Sequence, residues 1–63
     1  MCLSTVYQVL GDDQTLLCQH VSAVEINGED LTFTDIMGCE THVTGKIEKI
    51  DLMNNAIIVR SIA

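Results

Sequence analysis

The chain has no proline and no tryptophan, and Tyr7 and Phe33 are its only aromatic residues. A module that grips single-stranded RNA needs aromatic platforms for the bases beside a basic groove for the phosphates, and this composition supplies neither. Lys46, Lys49 and Arg60 are the whole of the positive charge, set against nine acidic residues for a formal net charge of −6. A phosphate backbone is therefore repelled at long range, and Lys46 with Lys49 makes only a small basic spot on a solvated strand. No apolar run approaches the roughly 20 residues of a membrane helix. The first ten residues carry no basic charge and mix polar with apolar groups, unlike a signal peptide, so a cytoplasmic location is expected. Cysteine is scarce and odd in number: Cys2, Cys18 and Cys39 share no close spacing. A secreted disulfide framework is excluded, and the thiols are read as reduced.

Catalytic signatures are missing as well. There is no Gly-x-Ser-x-Gly elbow and no phosphate-binding glycine loop, and 63 residues leave little room for a deep substrate pocket. The chain is not read as an enzyme. It is expected to fold as one domain spanning residues 1–63, and a chain of this size buries only about 60% of its unfolded surface. A second copy or a bound metal is the expected source of the missing stability.

What is present reads as sheet. Residues 1–9 alternate as a strand, with Leu3, Tyr7 and Val9 on an inward face, Thr5 its polar member, and Val6 an apolar exception among Cys2, Ser4 and Gln8 on the other. On that reading the Cys2 side chain points away from the core. Gly11-Asp12-Asp13-Gln14 is a hairpin turn; its paired aspartates lack the alternating acidic ligands and closing Glu of a calcium loop. Thr15 to Cys18 forms a second strand, Gln19-His20 marks a bend or bulge where the apolar phase shifts, and Ala23 to Ile26 is a third strand or its continuation. Asn27-Gly28 is the clearest hairpin signal, returning through Leu31 to Ile36 with Leu31 and Phe33 inward and the threonines outward. Met37-Gly38-Cys39-Glu40 breaks the pattern, Thr41 to Thr44 resumes it, and Gly45 marks a bulge or barrel corner. Gly45 to Leu52 is a long bent strand, despite the helix-like spacing of Ile47 and Ile50. Met53-Asn54-Asn55 makes the last hairpin, and Ala56 to Ile62, apolar on both faces, lies central in the sheet or against a partner subunit. The expected fold is all-β: a small antiparallel, partly open barrel, dimeric.

Two sets of residues suggest metal chemistry. Cys39 and His42 have the Cys-x-x-His spacing of half a zinc site, but no second pair completes it, and Cys18-Gln19-His20 is not an equivalent. Cys2 is different because it stands beside the chain terminus. If Met1 is removed, the α-amine and the Cys2 thiolate form a five-membered chelate that suits square-planar Ni(II) or Cu(II) better than a tetrahedral structural zinc. One chain offers too few ligands, so such a site requires two termini and hence a dimer. Against this stands the plain reading of Cys2 as a small thiol that merely packs.

The opening Met-Cys, the following strand, the Gly/Asp turn, the Asn27-Gly28 hairpin and the late Gly-x-Ile-x-x-Ile-Asp segment at Gly45, Ile47, Ile50 and Asp51 together resemble the CooT family. These are nickel-binding accessory proteins linked to maturation of the nickel-iron-sulfur carbon monoxide dehydrogenase. The resemblance implies a homodimer of small SH3-like or related β-barrels that binds one Ni(II) per dimer through Cys2 and delivers it to an acceptor enzyme. Cys18, His20, Cys39 and His42 are extras relative to that pattern. The alternative function is a small β-barrel that binds RNA or another protein without a metal, and the charge and aromatic content argue against its RNA form.

Overall fold

The computed structural model of the protein describes residues 3–61. Five strands follow one another with no helix among the described residues: β1 (Ser4–Leu10), β2 (Asp13–Asn27), β3 (Asp30–Asp35), β4 (Glu40–Asp51) and β5 (Ala56–Ser61). Consecutive strands pair antiparallel, and β1 then pairs with β5, so the sheet returns on itself as a ring not evenly disposed about one axis. That last pairing is parallel, running from Thr5 opposite Ala56 to Val9 opposite Arg60. It closes the edge that the sequence reading left open, and it gives β5 a hydrogen-bonded neighbour on each side. The central placement expected for this apolar strand is the one observed.

Two long strands turn the corners of the ring. β2 pairs with β1 up to Val21 and with β3 from Val21 onward. At the turning point His20 takes a left-handed φ of 59°. One extra residue there shifts the register between Val6 opposite Cys18 and Ser4 opposite Val21, as a β-bulge does. The bend expected at Gln19-His20 is therefore real, and the residues after it continue β2 rather than starting a new strand. β4 pairs with β3 through Thr44 and with β5 from Gly45, so Gly45 is the second corner. A further bulge at Glu48 places Ile47 opposite Val59 and Ile50 opposite Ile57, which explains a spacing of three residues within a strand.

The core is small: Val6, Val21, Leu31, Phe33, Ile57 and Val59, with Leu17, Cys18, Val24, Val43 and Ile47 packed around it. Leu31 and Phe33 face inward as expected. β1 corrects the sequence reading, because its buried residue is Val6, fully enclosed, while Leu3, Tyr7 and Val9 are only half-buried. The bulges opposite β1 reset its phase. The parity argument that pointed Cys2 away from the core therefore lapses, and Cys2 itself lies outside the described residues.

Candidate functional site

The first described residues of β1 are held from both sides. The Thr5 N–H donates to the Asn55 carbonyl at 2.8 Å in the β4–β5 loop, and Ser4 lies opposite Val21, itself opposite Asp35 at the end of β3. Next to that, the Ile36 N–H donates to the His20 carbonyl at 2.9 Å. The start of β1 thus sits between the 36–39 loop and the 52–55 loop. Leu3 leads from this anchored base to Cys2, two residues before the strand begins.

Each flanking loop is shaped by an aspartate. Asp35 Oδ1 accepts from the Met37 N–H at 2.8 Å and the Cys39 N–H at 2.9 Å, and Asp51 Oδ1 accepts from the Met53 N–H at 3.1 Å and the Asn54 N–H at 3.2 Å. The Asn54 side-chain amide donates to Asp51 Oδ2 at 2.9 Å, and these bonds, with Lys49 nearby, hold the Asp51 carboxyl below its ordinary range. Sequence reasoning placed both aspartates in strands and missed their capping role; the signal was an Asp at the end of each strand followed by a turn, the Asx-turn arrangement.

The other thiols and imidazoles are spread out. Cys18 is half-buried against the core, where burial raises its pKa, partly offset by a hydrogen bond with Thr41. Cys39 is exposed in the 36–39 loop. His20 is exposed at the β2 corner, and His42 is exposed on β4 with Nδ1 3.0 Å from Thr32 Oγ1 and Nε2 3.8 Å from Glu40 Oε1. Strand alternation puts Thr41, the partner of Cys18, on the face of β4 opposite to His42, so Cys18 and His42 lie on opposite sides of the sheet. Among the described residues no three of His, Cys, Asp and Glu come together as a metal-binding group. The hairpin turn is Gly11-Asp12 alone, with Gly11 at φ 63° and Leu10 opposite Asp13; Asp13 and Gln14, expected in the turn, already belong to β2.

All three basic residues fall on the β4–β5 ladder, with Lys46 opposite Arg60. Arg60 is paired with Glu48, which lowers the carboxyl pKa and raises that of the guanidinium, and Lys49 lies 4.0 Å from Asp51. A surface concavity of about 420 Å³ is lined by Glu29, Lys46, Ile47, Glu48, Arg60 and Ser61. Two cations face two carboxylates there, which selects neither a phosphate nor a metal ion. No helix among the described residues is long and apolar enough to cross a membrane.

Comparison with known proteins bears on the family and the fold. A family model described as CO dehydrogenase accessory protein CooT matches residues 1–60, a span that takes in Cys2. No curated protein matches the chain. A crystal structure assigned as CooT from Carboxydothermus hydrogenoformans is similar over 98% of this chain and 100% of that one, with a TM-score of 0.88 and 22% sequence identity, a likeness of fold.

Proposed function

The chain belongs to the CooT family of CO dehydrogenase accessory proteins, and from that premise we propose that it carries nickel as cargo. One Ni(II) is held between the Cys2 thiolates of a homodimer and is delivered to carbon monoxide dehydrogenase or another nickel enzyme. The family is one of accessory proteins, not catalysts. The observation that carries this reading is the anchoring of the residues just after Cys2, with Thr5 bonded to Asn55 and Ser4 set opposite Val21. That anchoring fixes the strand start two residues along the chain from Cys2, the tether from which a cargo ligand would act.

The donor set agrees with the chemistry. A thiolate and a terminal or backbone nitrogen from each of two chains make the four in-plane donors that Ni(II) accepts. Loading displaces protons from both thiols, so affinity climbs with pH. The reading is tested by titrating the reduced protein with Ni(II) and following thiolate-to-nickel charge-transfer absorption. The band should saturate at one ion per two chains and be absent from Cys2→Ser, which should remain folded. Retention of the band in Cys2→Ser would move the site elsewhere, with Cys39 and His42 the first residues to examine.

A further inference from the structure

The outer surface of the sheet is not uniformly polar. On β1 and β5 the buried residues are Val6, Ile57 and Val59, so strand alternation turns Tyr7, Val9, Ile58 and Arg60 outward. The register lines these residues up across four strands. Tyr7 stands between Leu16 of β2 and Ile58 of β5, and Ile58 stands opposite Lys49 of β4. In the next outward row Val9 stands between Gln14 and Arg60, and Arg60 stands opposite Lys46. The first row is therefore apolar across three strands, with Leu16 53% exposed and the chain's single tyrosine at its middle. Both rows end in cations.

That edge collects every lysine and arginine of the chain, and neither row contains an acidic residue although the sequence has nine. Glu48 reaches Arg60 and Asp51 lies 4.0 Å from Lys49. Three cations against these two carboxylates leave the face net positive on a chain of net charge −6. The concavity lined by Lys46, Ile47 and Arg60 adjoins the same edge and offers a recess there. Tyrosine and arginine are the side chains that most often anchor protein interfaces. An apolar row that ends in cations is complementary to a segment whose apolar side chains are flanked by carboxylates.

We propose that the outer face of β1, β5 and β4 docks an acidic segment of another protein, its apolar side chains on Leu16, Tyr7 and Ile58 and its carboxylates on Lys46, Lys49 and Arg60. A second copy of this chain is a poor occupant, because an isologous contact sets the patch against itself and neither row holds a carboxylate to meet the cations. A nucleic acid is a poor one too. Phe33 is buried, so Tyr7 is the one aromatic ring at the surface, and the net charge repels phosphates. The docking needs no metal and stands apart from the nickel reading.

Phage-displayed peptides of about 12 residues, selected on the reduced, EDTA-treated full chain, test the proposal. The enriched sequences should combine Asp or Glu with large apolar residues, and the synthetic peptides, titrated by fluorescence anisotropy, should bind more weakly as salt rises. Lys46→Glu with Lys49→Glu should weaken binding by roughly 10-fold or more, and Leu16→Ser should weaken it at an exposed position. Glu25→Gln with Ile26→Ser, exposed on the β2–β3 hairpin, should leave it unchanged. No enrichment, enrichment of basic or uncharged sequences, or an affinity indifferent to the lysine variant overturns the proposal. So does a shift in the chain's own association, by sedimentation equilibrium, on Leu16→Ser, which would make this face a contact between copies. Should the lysine variant lose its sheet circular dichroism, Lys46→Gln with Lys49→Gln and the salt dependence of the wild type decide in its place.

Discussion

Gly45 lies so close to Arg60 across the β4–β5 ladder that a Cβ at Gly45 would stand 2.5 Å from the Arg60 carbonyl oxygen and 3.3 Å from both the Arg60 carbonyl carbon and the Ser61 Cα. All three atoms are backbone, so no side-chain rotation relieves the contact. Gly45 is also where β4 leaves β3 for β5 and where its N–H donates to the Glu29 carbonyl at 2.9 Å. Gly45→Ala should therefore destabilise the fold by about 1–3 kcal/mol, the usual range for overpacking. Urea denaturation followed by circular dichroism measures it, and an unchanged midpoint would show that the corner opens freely.

Phe33 and Leu31 are the largest fully buried side chains, and Phe33 has no equivalent in so small a core. Phe33→Ala should cost about 3–5 kcal/mol, as much as a single core of this size commonly supplies. The variant should lose its sheet signal at 25 °C, whereas Phe33→Leu should keep it with a lower thermal midpoint. A folded Phe33→Ala would show that the core does not depend on this side chain.

The strands and turns were legible in the sequence because they rest on local chemistry: Asn27-Gly28, Gly11-Asp12, the alternation of Leu31 and Phe33, the phase slip at His20 and the corner at Gly45. The parallel closure of β1 on β5 was not, because a parallel seam leaves no turn between its strands to announce it. Val6 was assigned to the wrong face because strict alternation has no place for the bulges opposite it. Cys2 is a candidate by its position beside the terminus and by family likeness, while Asp35 and Asp51, whose carboxylates cap the loops flanking the β1 start, read only as strand residues.

Asp51 makes stability depend on acid pH in a defined direction. Its carboxyl is held below the ordinary aspartate value of 3.8, first by the Asn54 side-chain amide and then by backbone amides. A group depressed in the native state contributes fully above its unfolded value, and that contribution is lost as the pH falls below 3.8 through the native value. Asp51→Ala should thus be less stable than wild type at neutral pH, with the gap closing in that acid window. A gap that stays constant down to pH 2 would assign the effect to something other than the carboxylate.

Cys18 and Cys39 should differ sharply as nucleophiles. Burial raises the Cys18 thiol pKa and packs it on the core, while Cys39 is exposed, and the thiolate is the reactive form. In timed alkylation of dilute protein read by mass spectrometry, Cys39 should label well before Cys18, which should label only as the domain opens. Equal rates would indicate that the β2 corner opens locally.

The central claim, that two Cys2 thiolates share one nickel, is tested most directly by native mass spectrometry of the reduced protein with excess Ni(II). The account predicts a mass of two chains plus one nickel for the wild type, and two chains without nickel for Cys2→Ser. Nickel bound to single chains, or carried equally by the Cys2→Ser dimer, would contradict it.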